Sequence, residues 1–526
     1  MVNIPVVSGL TSDATIQRGQ EARRGSLAGY RRLTVAAGEP HQVRDDLAQG
    51  RTADPDVRVL FRFVHITDFQ LADLTSPARL EFCQRLAGTP GWAQMLPSYR
   101  PQEFLSLHAI EAMARTVRAL TGPAGPDLVV TTGDNTDNAQ RNELDAYLAL
   151  MDGGATVDPA SGAPAAVPSA SGGGAYWNPE PASRDVWKTE LGYPDHPGLL
   201  DEALRPFAAT GFGAPWLACF GNHDCLLQGR TQPTAEVREL LAGTVKPVDL
   251  PPGLPAWPAG AYGEDAPVID AYRKDPLLLS RGAGRPIPAD SDRRIVDRAE
   301  YVRAHLDSRT GPPGHGFTEE NAVRDTAYYV HDPAPGIRFV VLDTTNPGGY
   351  ADGSVGARQL AWLDERLAEA PDRLVVIASH HGLSTLTNDA PPESAAGADL
   401  PRHLADDVAA VLHRHANVAL WISGHTHVNR VTPRPGPSGG FWEMSTSSIA
   451  EWPVQARLVE LCRDAEGRPV VRSTCVDSAA PADPAQATDV WRLAAIHREA
   501  AANEPGSVGG PAAHGTPADR NVILLS

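Results

Sequence analysis

Lysine is almost missing from this chain: Lys188, Lys246 and Lys274 stand alone, and arginine carries nearly all the positive charge. Basic residues are also outnumbered, with a formal net charge of −18. A chain without a basic excess is a poor match for a nucleic-acid backbone or an anionic membrane surface. A small anionic substrate is not excluded, because bound metal ions reverse the local field. Cysteine is scarce and scattered: Cys83, Cys219, Cys225, Cys462 and Cys475 are odd in number and form no C-x-x-C pair. That excludes a disulfide framework and a thiolate zinc site, and it suits a reducing compartment. The N-terminal residues lack a charged-then-apolar secretory pattern, and no apolar run reaches the roughly 18 residues of a membrane span. A cytoplasmic protein is expected, with no membrane segment; its oligomeric state is not legible.

What is present is enough apolar material for a sizeable core, 42% of 526 residues, together with 48 Gly and 47 Pro that assign much of the length to loops. Residues 1–56 are polar and poorly periodic, and read as a partly extended N-terminal arm. Residues 57–478 form the main domain. Within it, apolar runs end at polar clusters: 59–66, 128–132, 216–220, 338–342, 374–379 and 418–423. Such runs suit strands buried on both faces. Helical spacing over 101–121, 357–370 and 402–415 lies between them, so the class is α/β. Residues 152–185, rich in Gly, Ala, Pro and Ser, predict a flexible excursion with no core of its own. Residues 225–325 predict a cap-like insertion, ending in a charged helical segment at 290–307. Residues 479–526 predict a helix at 483–503, capped by Asp483 with Pro484 at its first position, and then a loose tail.

Residue types that bind metals fall where those strands end. Asp68, Asp134, Asn222, His380, His425 and His427 all sit at or just past the end of an apolar run. In α/β sheets, ligands bind at the C-terminal ends of strands. A mixture of carboxylate, amide oxygen and imidazole suits Mn, Fe, Zn or Co better than Ca. Two divalent cations about 3.5–4 Å apart need a bridging carboxylate, and they turn a bridging water into a hydroxide that attacks phosphorus in line.

The motifs TDFQ (67–70), GDNTDN (133–138), GNHD (221–224), SHHG (379–382) and GHTH (424–427), in that order, resemble the calcineurin-like metallophosphoesterases. The resemblance extends through VVLDTTN (340–346), QLAWLDERL (359–367) and EMSTSSIAEWP (443–453), and it covers about 60–450 apart from the insertions. Within that superfamily the chain looks closest to an actinobacterial-type subfamily carrying P-G-H-G-F (313–317). The resemblance implies a four-layer α/β/β/α sandwich and two divalent metal ions. It implies Asp68 and His427 on the first ion, Asp134 bridging, and Asn222, His380 and His425 on the second. His223 would face the substrate and protonate the leaving oxygen, with Asp224 orienting it. The family has His where this chain has Gln70, a neutral and weaker oxygen donor, with Asp73 as another ligand to fill the gap. The implied activity is hydrolysis of a small phosphorylated substrate, monoester or diester. The alternative is a non-catalytic phosphate-binding or scaffold protein with a degenerate first site.

Other residues carry lesser expectations. His381 is a second candidate beside His380. His65 and His108 read as packed residues. His315 is a candidate to reach the site from the cap. Asp137 and Asn138 read as partners behind the ligands or as a helix cap, and Asp343 and Asn346 as supports of the site.

Overall fold

The computed structural model describes residues 9–526 except 55, 87, 90, 93–94, 96–97, 121–124, 259–266, 393–398 and 438. The strands of its two large sheets are, in chain order, β1 (Gln42–Arg44), β2 (Arg58–Ile66), β3 (Leu128–Thr131), β4 (Trp216–Ala218), β5 (Tyr329–Ala334), β6 (Ile337–Val341), β7 (Leu374–Ala378), β8 (Val418–Ser423), β9 (Arg430–Arg434), β10 (Phe441–Ser445), β11 (Gln455–Arg463), β12 (Pro469–Asp477) and β13 (Val522–Leu525). A seven-stranded sheet runs β1-β13-β12-β11-β2-β3-β4, and a six-stranded sheet runs β5-β6-β7-β8-β10-β9. In the first, β2, β3 and β4 are parallel neighbours. In the second, β6, β7, β8 and β10 are parallel. The protein is therefore mixed α/β, and each sheet has a parallel block whose strand ends are free to build a site.

The main helices are α1 (Ser106–Ala119), α2 (Arg141–Asp152), α3 (Arg298–Leu306), α4 (Ala357–Ala368), α5 (Ala405–Leu412) and α6 (Asp489–Asn503). Side chains of both sheets share one apolar cluster, in which Phe61 and Phe63 of β2 meet Phe339 of β6 edge-on at 6.2 and 5.2 Å. The alternation of β6 and β7 sends Phe339, Val341 and Val376 into that cluster, and Val340, Val375 and Ile377 the other way, against Leu363 and Leu367 of α4 and Val408 and Leu412 of α5.

Several of these segments take a more defined form than the composition implies. Residues 152–185 are packed, not a loose excursion. Trp177 and Trp187 are buried with Tyr99, Phe104 and Tyr193, and Ala160 and Val167 lie among them. Composition missed this because two large indoles anchor many small residues. The tail is not loose either: β13 pairs with β12 on one side and β1 on the other. The N-terminal arm supplies β1 and a separate hairpin, Ala14–Arg24 with Gly29–Ala37. The insertion divides in two. Residues 290–325 enter the main core through Val296, Tyr301, Val302 and Phe317. Within it, His315 stacks on Trp216 at 3.4 Å between centroids, so it is a packed residue and not an arm of the site.

Helix positions follow the spacing closely. The C-terminal helix begins later than expected: Asp483 caps a short 3-10 turn at Pro484–Gln486, accepting from the Ala485 amide at 3.0 Å, and α6 starts at Asp489.

Candidate metal centre

The parallel blocks bring two sets of strand ends together. From the first sheet, β2 delivers Asp68 and Gln70, β3 delivers Asp134, and β4 leads to Asn222 and His223. From the second, β7 delivers His380, and β8 delivers His425 and His427. Asp68, Gln70, Asp134, His425 and His427 all adopt positive φ, between 41° and 66°. The left-handed region costs a residue with a Cβ about 1–2 kcal/mol, and such strain collects where a chain must aim a side chain. Two glycines make room for the carboxylates. A Cβ at Gly221 would lie 2.3 Å from Asp134 Oδ1, and one at Gly424 would lie 2.4 Å from Asp68 Oδ2. That is the physical content of the glycine in GNHD and in GHTH.

The sheets are also stitched at the site. His380 donates from Nδ1 to the Thr132 carbonyl at 2.8 Å and Ser448 Oγ donates to the Asp68 carbonyl at 2.8 Å, while within the second sheet the Gly424 amide donates to the His380 carbonyl at 3.0 Å. With its proton on Nδ1, His380 turns the Nε2 lone pair toward Asp134 Oδ2, 3.2 Å away. His427 Nε2 lies 3.3 Å from Asp68 Oδ1. The His380 and His425 ring centroids are 5.1 Å apart. One ligand atom each from Asp68, Asp134 and His380 fits within 4.8 Å, and so does one each from His380, His381 and His425.

His381 nevertheless does not compete with His380. Its Nδ1 meets Thr344 Oγ1 at 2.8 Å and its Nε2 meets the Ala351 carbonyl at 2.8 Å, which uses both nitrogens. Asp73 is likewise engaged, by Arg293 Nε at 2.7 Å, Asn142 Nδ2 at 2.9 Å and Thr75, so it does not replace a missing ligand.

Whether these residues suit a cation is answered by atoms left without partners. Gln70 Oε1, Asn222 Oδ1 and His380 Nε2 are buried and make no hydrogen bond. Burying a lone pair unsatisfied costs about 1–3 kcal/mol, so three in one site are unusual. Asn222 fixes its orientation by donating from Nδ2 to the Gly229 carbonyl at 3.0 Å, which leaves its oxygen open. Gln70 turns Nε2 to His427 Nε2 at 3.4 Å, and a half-turn of its amide would set the oxygen there instead. The electrostatics agree. Burial disfavours charge on His380, but Asp134 and Asp68 outweigh it and push the ring up to about 9. His427 is likewise buried, and Glu451 and Asp68 push it up to about 10. The carboxylates demand positive charge, and the donor set of oxygens and imidazoles fits divalent Mn, Fe, Zn or Co.

His223 lies at the edge of this group. Its amide donates to Asp134 Oδ1 at 2.9 Å, and its Nε2 is 3.9 Å from Asp134 Oδ2. The expected partner is replaced. Asp224 does not orient His223, because its carboxylate accepts from the amides of Asn135, Thr136 and Gly221 at 3.0, 3.0 and 2.9 Å and so holds the Asp134 loop. Asp137 serves His223 instead: its carbonyl takes Nδ1 at 2.9 Å, and its Oδ1 is 3.6 Å away. Burial lowers the proton affinity of His223, but Asp134 and Asp137 reverse this, and the net shift is upward.

The group opens into a cleft of about 190 Å³ lined by Gln70, Asp134, Asn222, His223, His425 and His427, with Arg79, Arg100 and Arg230 on its walls. Gln228, Arg230 and Tyr272 bring the first part of the 225–325 insertion to that wall. Asp343 and Asn346 stay outside the ligand group: Asp343 pairs with Arg298 at 3.0 Å, and Asn346 bonds the Asn388 carbonyl at 3.0 Å. His65 and His108 are buried, as packed residues.

Two contacts of the site histidines were not legible beforehand. Glu451 meets His427 Nδ1 at 3.1 Å, and Asp352 meets His425 Nε2 at 3.1 Å. Asp352 lies in a loop with no motif signal, Glu451 lies within EMSTSSIAEWP (443–453) where no role was read for it, and only the fold brings the two behind the imidazoles. Among the described residues, no helix is long and apolar enough to cross a membrane.

No family model matches the chain, and no curated protein matches it. Among solved structures it is similar to a dimetal phosphatase from Danio rerio, at 14% identity and a TM-score of 0.38, over 80% of this chain and 97% of that one. It is also similar to GAP50, the anchor in the inner membrane complex of Plasmodium, at 10% identity and a TM-score of 0.27, over 81% and 87% of the two chains.

Proposed function

We propose that this protein is a dinuclear metal-dependent phosphoesterase acting on a small phosphate ester. The observation that carries the reading is that ligand atoms of buried Asp68, Asp134 and His380 lie within 4.8 Å of one another, beside a cleft lined by Gln70, Asn222, His425 and His427 and walled by arginines. Asp68, Gln70 and His427 would hold one ion, and Asn222, His380 and His425 the other, with Asp134 shared. When bound, two such ions acidify water and neutralise phosphoryl oxygens. The chain's own residues do the rest. Asp137 holds the His223 ring so that Nε2 faces the cleft, where it can carry a proton to the leaving oxygen. Arg230 on the cleft wall favours entry of an anion, while Arg79 and Arg100 are paired with Asp137 and Glu451. Asp224 keeps the Asp134 loop in its left-handed turn. In this reading the two sheets and their outer helices form a four-layer α/β/β/α sandwich, and the insertion around Tyr272 borders the substrate.

The test is turnover of p-nitrophenyl phosphate and bis-p-nitrophenyl phosphate by chelator-stripped protein reloaded with Mn, Zn, Mg, Co or Fe. Metal-dependent hydrolysis of either supports the reading, and the ratio separates monoesterase from diesterase. Metal binding without turnover of either ester would favour a binding protein over an enzyme.

A further inference from the structure

We propose that Glu451, clamped by Arg100, is the positioning residue that lets His427 hold the first metal ion beside the weak ligand Gln70. The inference rests on the dinuclear reading and adds how the first site is maintained.

Gln70 offers a neutral carboxamide oxygen where imidazole would be the stronger donor to Zn, Fe or Co. Neighbouring carboxylates do not make up the difference, since Asp73 is consumed by Arg293, Asn142 and Thr75. What the site has instead is a carboxylate behind its one imidazole. Glu451 is 1% exposed, and its Oε2 lies 3.1 Å from His427 Nδ1. This directs Nδ1 to Glu451 and turns Nε2 toward Asp68 Oδ1 and the Gln70 amide nitrogen, at 3.3 and 3.4 Å. A carboxylate hydrogen-bonded to a ligating imidazole raises its donor strength and fixes its orientation.

A buried carboxylate needs its own support. Arg100 Nε donates to Glu451 Oε1 at 2.8 Å, and the Val508 amide donates to Oε2 at 2.9 Å. Each oxygen is thus fixed by a donor outside the metal site. The relay Arg100–Glu451–His427 reaches the first ion's side only. His380 is held by a neutral carbonyl of Thr132, and His425 by Asp352, which is 36% exposed. The strongest support from behind sits on the side with the weakest ligand.

Co²⁺ titration of the chelator-stripped full-length chain, followed by visible absorption and by metal count after desalting, decides the matter. The natural protein should take two ions. Glu451→Gln keeps the shape and an acceptor but removes the charge. It should hold one ion as before and bind the other about 10- to 100-fold more weakly. Arg100→Gln should weaken the same ion without altering Glu451 itself. Gln70→His placed in the Glu451→Gln protein should restore at least tenfold of the loss. Unchanged affinity for both ions in Glu451→Gln and Arg100→Gln overturns the inference, as does failure of Gln70→His to restore binding. A natural protein that takes no ion at all sinks the dinuclear reading itself, which is a different result from two ions bound equally in every variant.

Discussion

At the scale of single residues, the dinuclear reading gives His223 and Asp134 separable tasks. His223 lies beside the ligand group but offers its Nε2 to the cleft, 3.9 Å from Asp134 Oδ2. His223→Ala should lower turnover by about 10²-fold or more, the range of a general acid, with metal content unchanged. Asp137→Asn should give part of that loss and move the alkaline limb of the pH–rate profile to lower pH, because Asp137 raises the proton affinity of His223. A profile unmoved by Asp137→Asn would return the orienting role to another group. Asp134→Asn should remove both ions and all activity, since a neutral amide does not offset the repulsion of two cations so close. Elemental analysis of that variant is the check.

Elements show how the site is braced from outside. The Asp73–Arg293 pair ties the insertion to the loop after β2, with both side chains essentially inaccessible, 1% and 0% exposed. Removing one partner strands a buried charge, so Arg293→Ala should cost about 3–5 kcal/mol in urea unfolding. Burial would raise the Asp73 carboxyl, but Arg293 outweighs it and the net shift is downward. The folded value therefore lies below the unfolded one. The pair's contribution is whole above the ordinary carboxylate value near 4 and is lost as pH falls through the depressed one. The natural protein should converge on the variant's stability in that acid range and nowhere above it. At the other end of the chain, β13 buries Val522, Leu524 and Leu525, and its Leu525 carbonyl accepts from Trp442 Nε1 at 3.3 Å. Each such side chain contributes about 1.5–3 kcal/mol. Deleting residues 522–526 should therefore lower the melting temperature by several degrees and leave β12 with an unpaired edge that promotes aggregation. A truncated protein that melts with the full chain would show that β13 is dispensable.

On the scale of the whole molecule, the site joins two sheets that also meet through an apolar core and through hydrogen bonds such as Trp442 to the Leu525 carbonyl. Ions that bind the folded state and not the unfolded chain stabilise it by mass action, about 2.7 kcal/mol at a hundredfold excess over the dissociation constant. Stripping metal with a chelator should lower the melting temperature, and adding Mn or Zn back should restore it. Asp134→Asn should show neither effect. Equal melting curves with and without chelator would mean that the carboxylates are balanced by the protein alone.

The sequence by itself determined the strand ends and the residue types placed on them. Continuous apolar runs mark β2, β3, β7 and β8 to within a residue, because strands buried on both faces admit little else. The order of Asp68, Asp134, Asn222, His380, His425 and His427 along those ends was legible for the same reason. Tertiary structure alone decided the partners. Asp137 rather than Asp224 stands behind His223, and Glu451 stands behind His427, because hydrogen bonds form between groups adjacent in space whatever their separation along the chain. It also decided that Trp177 and Trp187 order a Gly- and Ala-rich segment, and that β13 fills a gap in the first sheet. Composition measures how much apolar surface a segment has, whereas burial depends on what the rest of the molecule offers to cover it.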